Sequence, residues 1–62
     1  MDRTEQARAY IHGIKGKWRV LCADTGLKYD WVMKFSQGYI RHPSARFVDK
    51  VLEHRDAARQ AA

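Results

Sequence analysis

Tyr29, Asp30, Met33, Lys34 and Gln37 follow one another at gaps of one, three, one and three. That spacing lines side chains along one face of a helix. Their types suit the edges of base pairs. A lysine donates to guanine acceptors, a glutamine offers donor and acceptor together, and an aspartate accepts from the cytosine amino group. A methionine or tyrosine meets the thymine methyl. Lys28 stands at the entrance to the same stretch. Around it lie groups that hold phosphate without reading sequence: Lys17 and Arg19 before, and Tyr39, Arg41, His42, Ser44 and Arg46 after. A polar stripe is also what any surface helix shows to water, so this one gains meaning only from its setting.

Other chemistries find little support. Cys22 is the single cysteine, so it forms no internal disulfide, and it lacks the closely paired partners that a structural zinc needs, given His12, His42 and His54. No nucleophile–base pair, carboxylate pair or phosphate loop is present. The expectation is a protein that binds, without catalysis, metal, cofactor or small-molecule ligand. The polar opening, Met-Asp-Arg-Thr-Glu-Gln, is followed by no apolar run, and no stretch reaches membrane-spanning length. A reduced, cytoplasmic setting in a bacterial host follows as an expectation, with no membrane partner.

Charge is distributed unevenly. The chain has 62 residues and a net charge of +5. From Lys15 to Arg46, seven cations (Lys15, Lys17, Arg19, Lys28, Lys34, Arg41 and Arg46) face only Asp24 and Asp30, while the two flanks balance. A localised excess points to a polyanionic partner, where a scattered one would serve solubility alone.

Four segments must position these groups. Gly13, Gly16, Gly26, Gly38 and Pro43 punctuate the chain. Ala7, Tyr10, Ile11 and Ile14 form a helical stripe, with Thr4 as the expected N-cap. Trp18, Leu21, Cys22 and Thr25 form a second, and Trp31, Val32 and Phe35 a third. Phe47, Val48, Val51 and Leu52 follow Pro43, a residue suited to a first helical turn. No useful strand-like alternation appears. The expectation is one all-α domain over 1–62, with helices near 4–14, 17–25, 28–37 and 44–60. In a chain this small, Trp18 and Trp31 read as core residues, not base-stacking platforms. His12 and His54 read as surface residues on helix flanks.

The second and third segments are joined through Gly26 by only a few residues, where a steep turn favours a residue tolerant of positive φ. Leu21 and Cys22 precede that glycine by five and four positions, Leu27 follows it, and Val32 and Phe35 come six and nine later. Cys22 reads as a small buried side chain that lets two helices approach. With Gly38-Tyr39-Ile40-Arg41-His42-Pro43 after it, this register resembles the lambda-repressor-like helix-turn-helix domains, which include phage repressors, Cro proteins and prophage regulators. The resemblance covers roughly Trp18 to Leu52. Cys22 stands where the family usually has alanine. Such domains often carry a fifth helix used for dimerisation; here nothing after Pro43 breaks the helix before Ala62.

The resemblance implies a DNA-binding domain of four or five helices that acts as a transcriptional regulator, of the repressor kind, of phage or prophage type, with the third helix in the major groove of a duplex operator. It implies base contacts from Lys28, Tyr29, Asp30, Met33, Lys34 and Gln37. Backbone contacts would come from Lys17, Arg19, Tyr39, Arg41, His42, Ser44 and Arg46. A homodimer is expected on DNA, although Arg55, Ala58, Arg59 and Ala62 offer only a thin face for it. The same sequence admits two other classes: a protein-binding module using the off-stripe Val20, and an RNA binder, for which no surface stacking platform is apparent.

Overall fold

A computed structural model describes residues 2–61, so Ala62, named above in the thin dimer face, and the first residue of the expected domain lie outside it. Within it are four α-helices and no strand among the described residues: α1 (Arg3–Gly13), α2 (Trp18–Thr25), α3 (Tyr29–Ser36) and α4 (Ala45–Ala61). Each begins or ends within a residue of the expected position. None of the four is long and apolar enough to cross a membrane.

The cap of α1 differs from expectation. Asp2, not Thr4, takes the N-cap, its side chain accepting from the Glu5 N–H at 2.8 Å. Asp and Thr both cap well, and the earlier carboxylate also meets the positive end of the helix dipole. Helix α2 stops at Gly26, which adopts φ 78° and donates its N–H to the Cys22 carbonyl at 2.8 Å. The Thr25 hydroxyl donates to Leu21 O at 2.7 Å and accepts from Leu27 N–H, so the three-residue connection to α3 is bonded internally. Gly38, at φ 83°, plays the matching part after α3. Its N–H reaches Phe35 O, and the next N–H, of Tyr39, reaches Lys34 O. These paired bonds satisfy carbonyls that a helix end would otherwise leave open.

One core joins all four helices. Ala7, Ile11, Leu21, Val32, Phe35 and Val51 are fully buried, and Trp18, Leu27, Val48 and Leu52 nearly so. Helix α1 packs on α3 and α4, and α2 on α3 and α4. Trp18 donates its indole N–H to Ile11 O at 2.9 Å, so a buried polar atom is satisfied while its ring fills the core. Trp31 is half-buried, stacked on Phe35 with centroids 4.9 Å apart and edge-on to Phe47 at 5.1 Å. Both tryptophans therefore pack as the spacing predicts. Cys22 is only half-buried, a correction to its expected full burial: it lies at the edge of the α2 stripe whose centre is Trp18 and Leu21.

His54 also departs from expectation. Instead of lying free on a flank, it joins three helices: Nδ1 is 2.7 Å from the Tyr10 hydroxyl on α1, and Nε2 is 3.1 Å from an Asp24 carboxylate oxygen on α2. With a neutral imidazole, the tyrosine O–H donates to Nδ1 and the Nε2–H donates to Asp24.

Candidate nucleic-acid interface

At about 100° of rotation per residue, the buried side of α3 is wider than Val32 and Phe35 alone, because Ser36 is buried as well. Met33 borders Ser36 on that circle. It is half-buried and packs against the core, which corrects its expected place as an exposed contact. The centre of the outward face is Asp30, Lys34 and Gln37, all exposed. Tyr29 is 49% exposed at the start of the helix.

Asp30 and Lys34 do not stand independently. The Lys34 ammonium lies 3.2 Å from an Asp30 carboxylate oxygen, an i,i+4 ion pair with both side chains open to solvent. The spacing alone, acid before base by one turn, is the signal that finds it.

The first turns of α2 and α3 are neighbours. Trp18 meets Tyr29 edge-on with ring centroids 5.9 Å apart. Lys17 and Lys28 hold the N-cap positions of these two helices, and neither helix has a side-chain cap. Unlike α1, with Asp2, both therefore present their leading N–H groups beside cations, an arrangement that favours an anion. Lys17, Arg19 and Lys28 are exposed.

Beyond Gly38 the chain carries Tyr39, 75% exposed, and then exposed Arg41, His42 and Ser44. Arg46 is exposed in the first turn of α4 and so belongs to a helix, not to the loop. Arg41 and His42 share an open cleft of about 650 Å³ with Gln37, Arg8, Asp2 and Glu5. The structure thus sets the N-cap acid Asp2 and Glu5 of α1 opposite the loop, which no short-range pattern reveals.

Two α1 residues secure the end of α3: Arg8, and His12, which the spacing reads only as a surface residue. His12, although exposed, places Nε2 2.7 Å from Ser36 O. Arg8 donates from Nε to Phe35 O at 3.2 Å, lies over the Phe35 ring at 4.9 Å and pairs with Glu5 at 2.8 Å. The last carbonyls of a helix have few internal donors; Ser36 O takes a bond from His12, and Phe35 O, already bonded to the Gly38 N–H, takes a second from Arg8.

Among the described residues three of the five flank cations have an acidic partner, Lys50 and Arg59 having none, against one of the seven central cations. Arg3 pairs with Asp49, Arg8 with Glu5 and Arg55 with Asp56, all in the flanks. Of the central cations only Lys34 is paired. Among the described residues, Lys15, Lys17, Arg19, Lys28, Arg41 and Arg46 have no acidic partner.

Among the described residues no three of His, Cys, Asp and Glu gather as a metal site. Burial pushes the Cys22 thiol above its ordinary pKa, away from the thiolate a nucleophile needs. Comparison with protein families, with curated proteins and with solved structures returns no match for this chain.

Proposed function

We propose that this protein binds double-stranded DNA in a sequence-specific way, with α2, its three-residue connection and α3 acting as a helix-turn-helix. The observation that carries the reading is the set of unpaired cations on Lys17, Arg19, Lys28, Arg41 and Arg46, flanking an α3 face of Asp30, Lys34 and Gln37. Three of the five flank cations, Arg3, Arg8 and Arg55, find internal partners; these do not, which leaves them open to phosphate. The uncapped first turns of α2 and α3 support the same partner.

In this reading Gln37 and Lys34 read base edges, with Asp30 between them and Tyr29 at the margin. Met33 contributes apolar contact only through the part of its side chain left open. Lys17, Arg19, Tyr39, Arg41, His42, Ser44 and Arg46 hold backbone, and Lys28 spans the two roles. A transcriptional regulator of phage or prophage type is the function such a module serves. Two copies on a symmetric operator would set their α3 helices about 34 Å apart.

The test separates reading from holding, by binding titrations on a duplex selected from a random library and on random duplex at several salt concentrations. Gln37→Ala or Lys34→Ala should lose about 1–3 kcal/mol on the selected site and relax preference at one or two base pairs. Arg41→Ala or Arg46→Ala should weaken both duplexes about equally, each lowering the salt slope by about one. Equal losses on both duplexes for the Gln37 and Lys34 variants would remove α3 as the reader. One observation favours a second reading: Val20 is 56% exposed on α2, a surface a protein partner would use. That reading requires little or no salt-sensitive duplex affinity.

A further inference from the structure

We propose that Asp30 is a specificity-determining residue of the DNA-binding face, acting through its ion pair with Lys34 to withhold that lysine from phosphate. The inference rests on the duplex-binding reading and goes beyond it by assigning the acid a discriminating role. Asp30 is the only carboxylate on α3, and it stands on the exposed centre of the face with Lys34 and Gln37. Its carboxylate oxygen lies 3.2 Å from the Lys34 ammonium. An aspartate four residues before a lysine is the favourable orientation for such a pair.

The consequence depends on which DNA is present. On a random duplex the main attraction is phosphate neutralisation with release of counterions. There the pair contributes no net charge: Lys34 is already neutralised, and a phosphate that approached it would meet Asp30 as well. At a matching site both partners are released to base edges. The Lys34 ammonium donates to guanine O6 or N7, and the Asp30 carboxylate accepts from a cytosine N4 amino group. Four residues of helix rise span about 6 Å. The guanine and cytosine should therefore lie on the same or closely neighbouring base pairs. Asp30 thus lowers binding to wrong sequences and returns the loss only on the right one.

The other cations of the surface make the same point by contrast. Lys17, Arg19, Lys28, Arg41 and Arg46 have no acidic partner among the described residues, so they supply the sequence-independent attraction in full. The one base-reading cation at the middle of α3 is the one held by an acid.

The experiment compares wild-type protein, Asp30→Asn and Glu53→Gln by fluorescence anisotropy, on random duplex and on the duplex selected by the wild type, from low to moderate salt. Glu53 is an exposed acid on α4 and controls for the change in net charge. Circular dichroism of each variant verifies that helix content is retained. Asp30→Asn should bind random duplex about threefold or more tightly, with a salt slope steeper by about 0.9. Its preference for the selected duplex should fall by at least about tenfold, while Glu53→Gln changes neither slope nor preference. If wild type binds DNA but Asp30→Asn has the same random-duplex affinity and slope, the proposal is overturned while duplex binding stands. Equal shifts in Asp30→Asn and Glu53→Gln also overturn it, since net charge alone then accounts for the gain. If wild type shows no salt-sensitive duplex binding, both this proposal and the reading beneath it fall together.

Discussion

Replacing His54 by leucine tests whether the three-helix junction, and not the apolar core alone, holds α4 in place. The substitution removes the bond to the Tyr10 hydroxyl at 2.7 Å and the bond to Asp24 at 3.1 Å. It also removes the tilted ring contact with Tyr10, centroids 5.9 Å apart. A net hydrogen bond contributes about 1 kcal/mol, and an aromatic contact of this kind about 0.5 kcal/mol. The bond to Asp24 is discounted to about 0.5 kcal/mol because that carboxylate is more than half exposed. The total is about 2 kcal/mol, since leucine keeps most of the apolar volume. A chain of this length holds roughly 3–5 kcal/mol of stability, so the loss approaches half of it. For a domain this size the midpoint of thermal unfolding should drop by roughly 8–16 °C. Thermal and urea unfolding would be followed by circular dichroism and by fluorescence of Trp18 and Trp31. A double-mutant cycle with Tyr10→Phe should return a coupling of about 1 kcal/mol for the tyrosine–histidine bond. A coupling below about 0.3 kcal/mol, within the additivity expected of independent sites, would refute the reasoning and leave the junction as two surface contacts.

Other expected outcomes follow from the same structure. Gly26 sits at φ 78° with nothing within 4 Å of where a Cβ would lie, so strain alone decides substitutions there. Gly26→Asn should then be nearly tolerated and Gly26→Val should lose about 1–3 kcal/mol, as chemical denaturation would show. Phe35 is fully buried between Trp31 and the Arg8 guanidinium. Phe35→Ala should cost about 3–5 kcal/mol and leave the chain largely unfolded by circular dichroism. The Tyr10 hydroxyl is held above its ordinary pKa, chiefly by burial, with Arg55 opposing and Asp24 adding to the rise. The folded state therefore keeps this proton more firmly than the unfolded chain. Its contribution is complete below the ordinary tyrosine range and is lost as pH climbs through and above it; Tyr10→Phe should flatten that alkaline limb in a stability–pH series. Cys22→Ala should fold and bind as the parent does, while the raised thiol pKa makes alkylation of native Cys22 slower at neutral pH than that of a free cysteine. Rapid modification of folded protein would contradict that placement.

The helices were legible because their signals are local. Apolar residues three and four apart marked the stripes of Ile11, Leu21, Val32 and Val51, and all four lie fully buried. Gly26 and Gly38 marked the ends of α2 and α3 because few other residues accept their backbone angles at low cost. The exposed face of Asp30, Lys34 and Gln37 followed from the same periodicity. Met33 was misplaced because the width of a buried stripe depends on what packs against it. Here Ser36 is buried and its hydroxyl donates to Met33 O, and Met33 itself packs against the core.

The amino-acid sequence by itself therefore determined the all-helical class, the limits of the helices to within a residue, most of the core and the location of the charge excess. Each of those depends on neighbours within one or two helical turns. Only the tertiary structure decided which charges stay unpaired, that His54 binds Tyr10 and Asp24 across 44 and 30 positions of chain, and that Asp2 and Glu5 stand opposite Arg41. Such pairings arise when packing brings distant side chains within about 4 Å, where Coulomb and hydrogen-bond energies become appreciable. No spacing along the chain carries that distance.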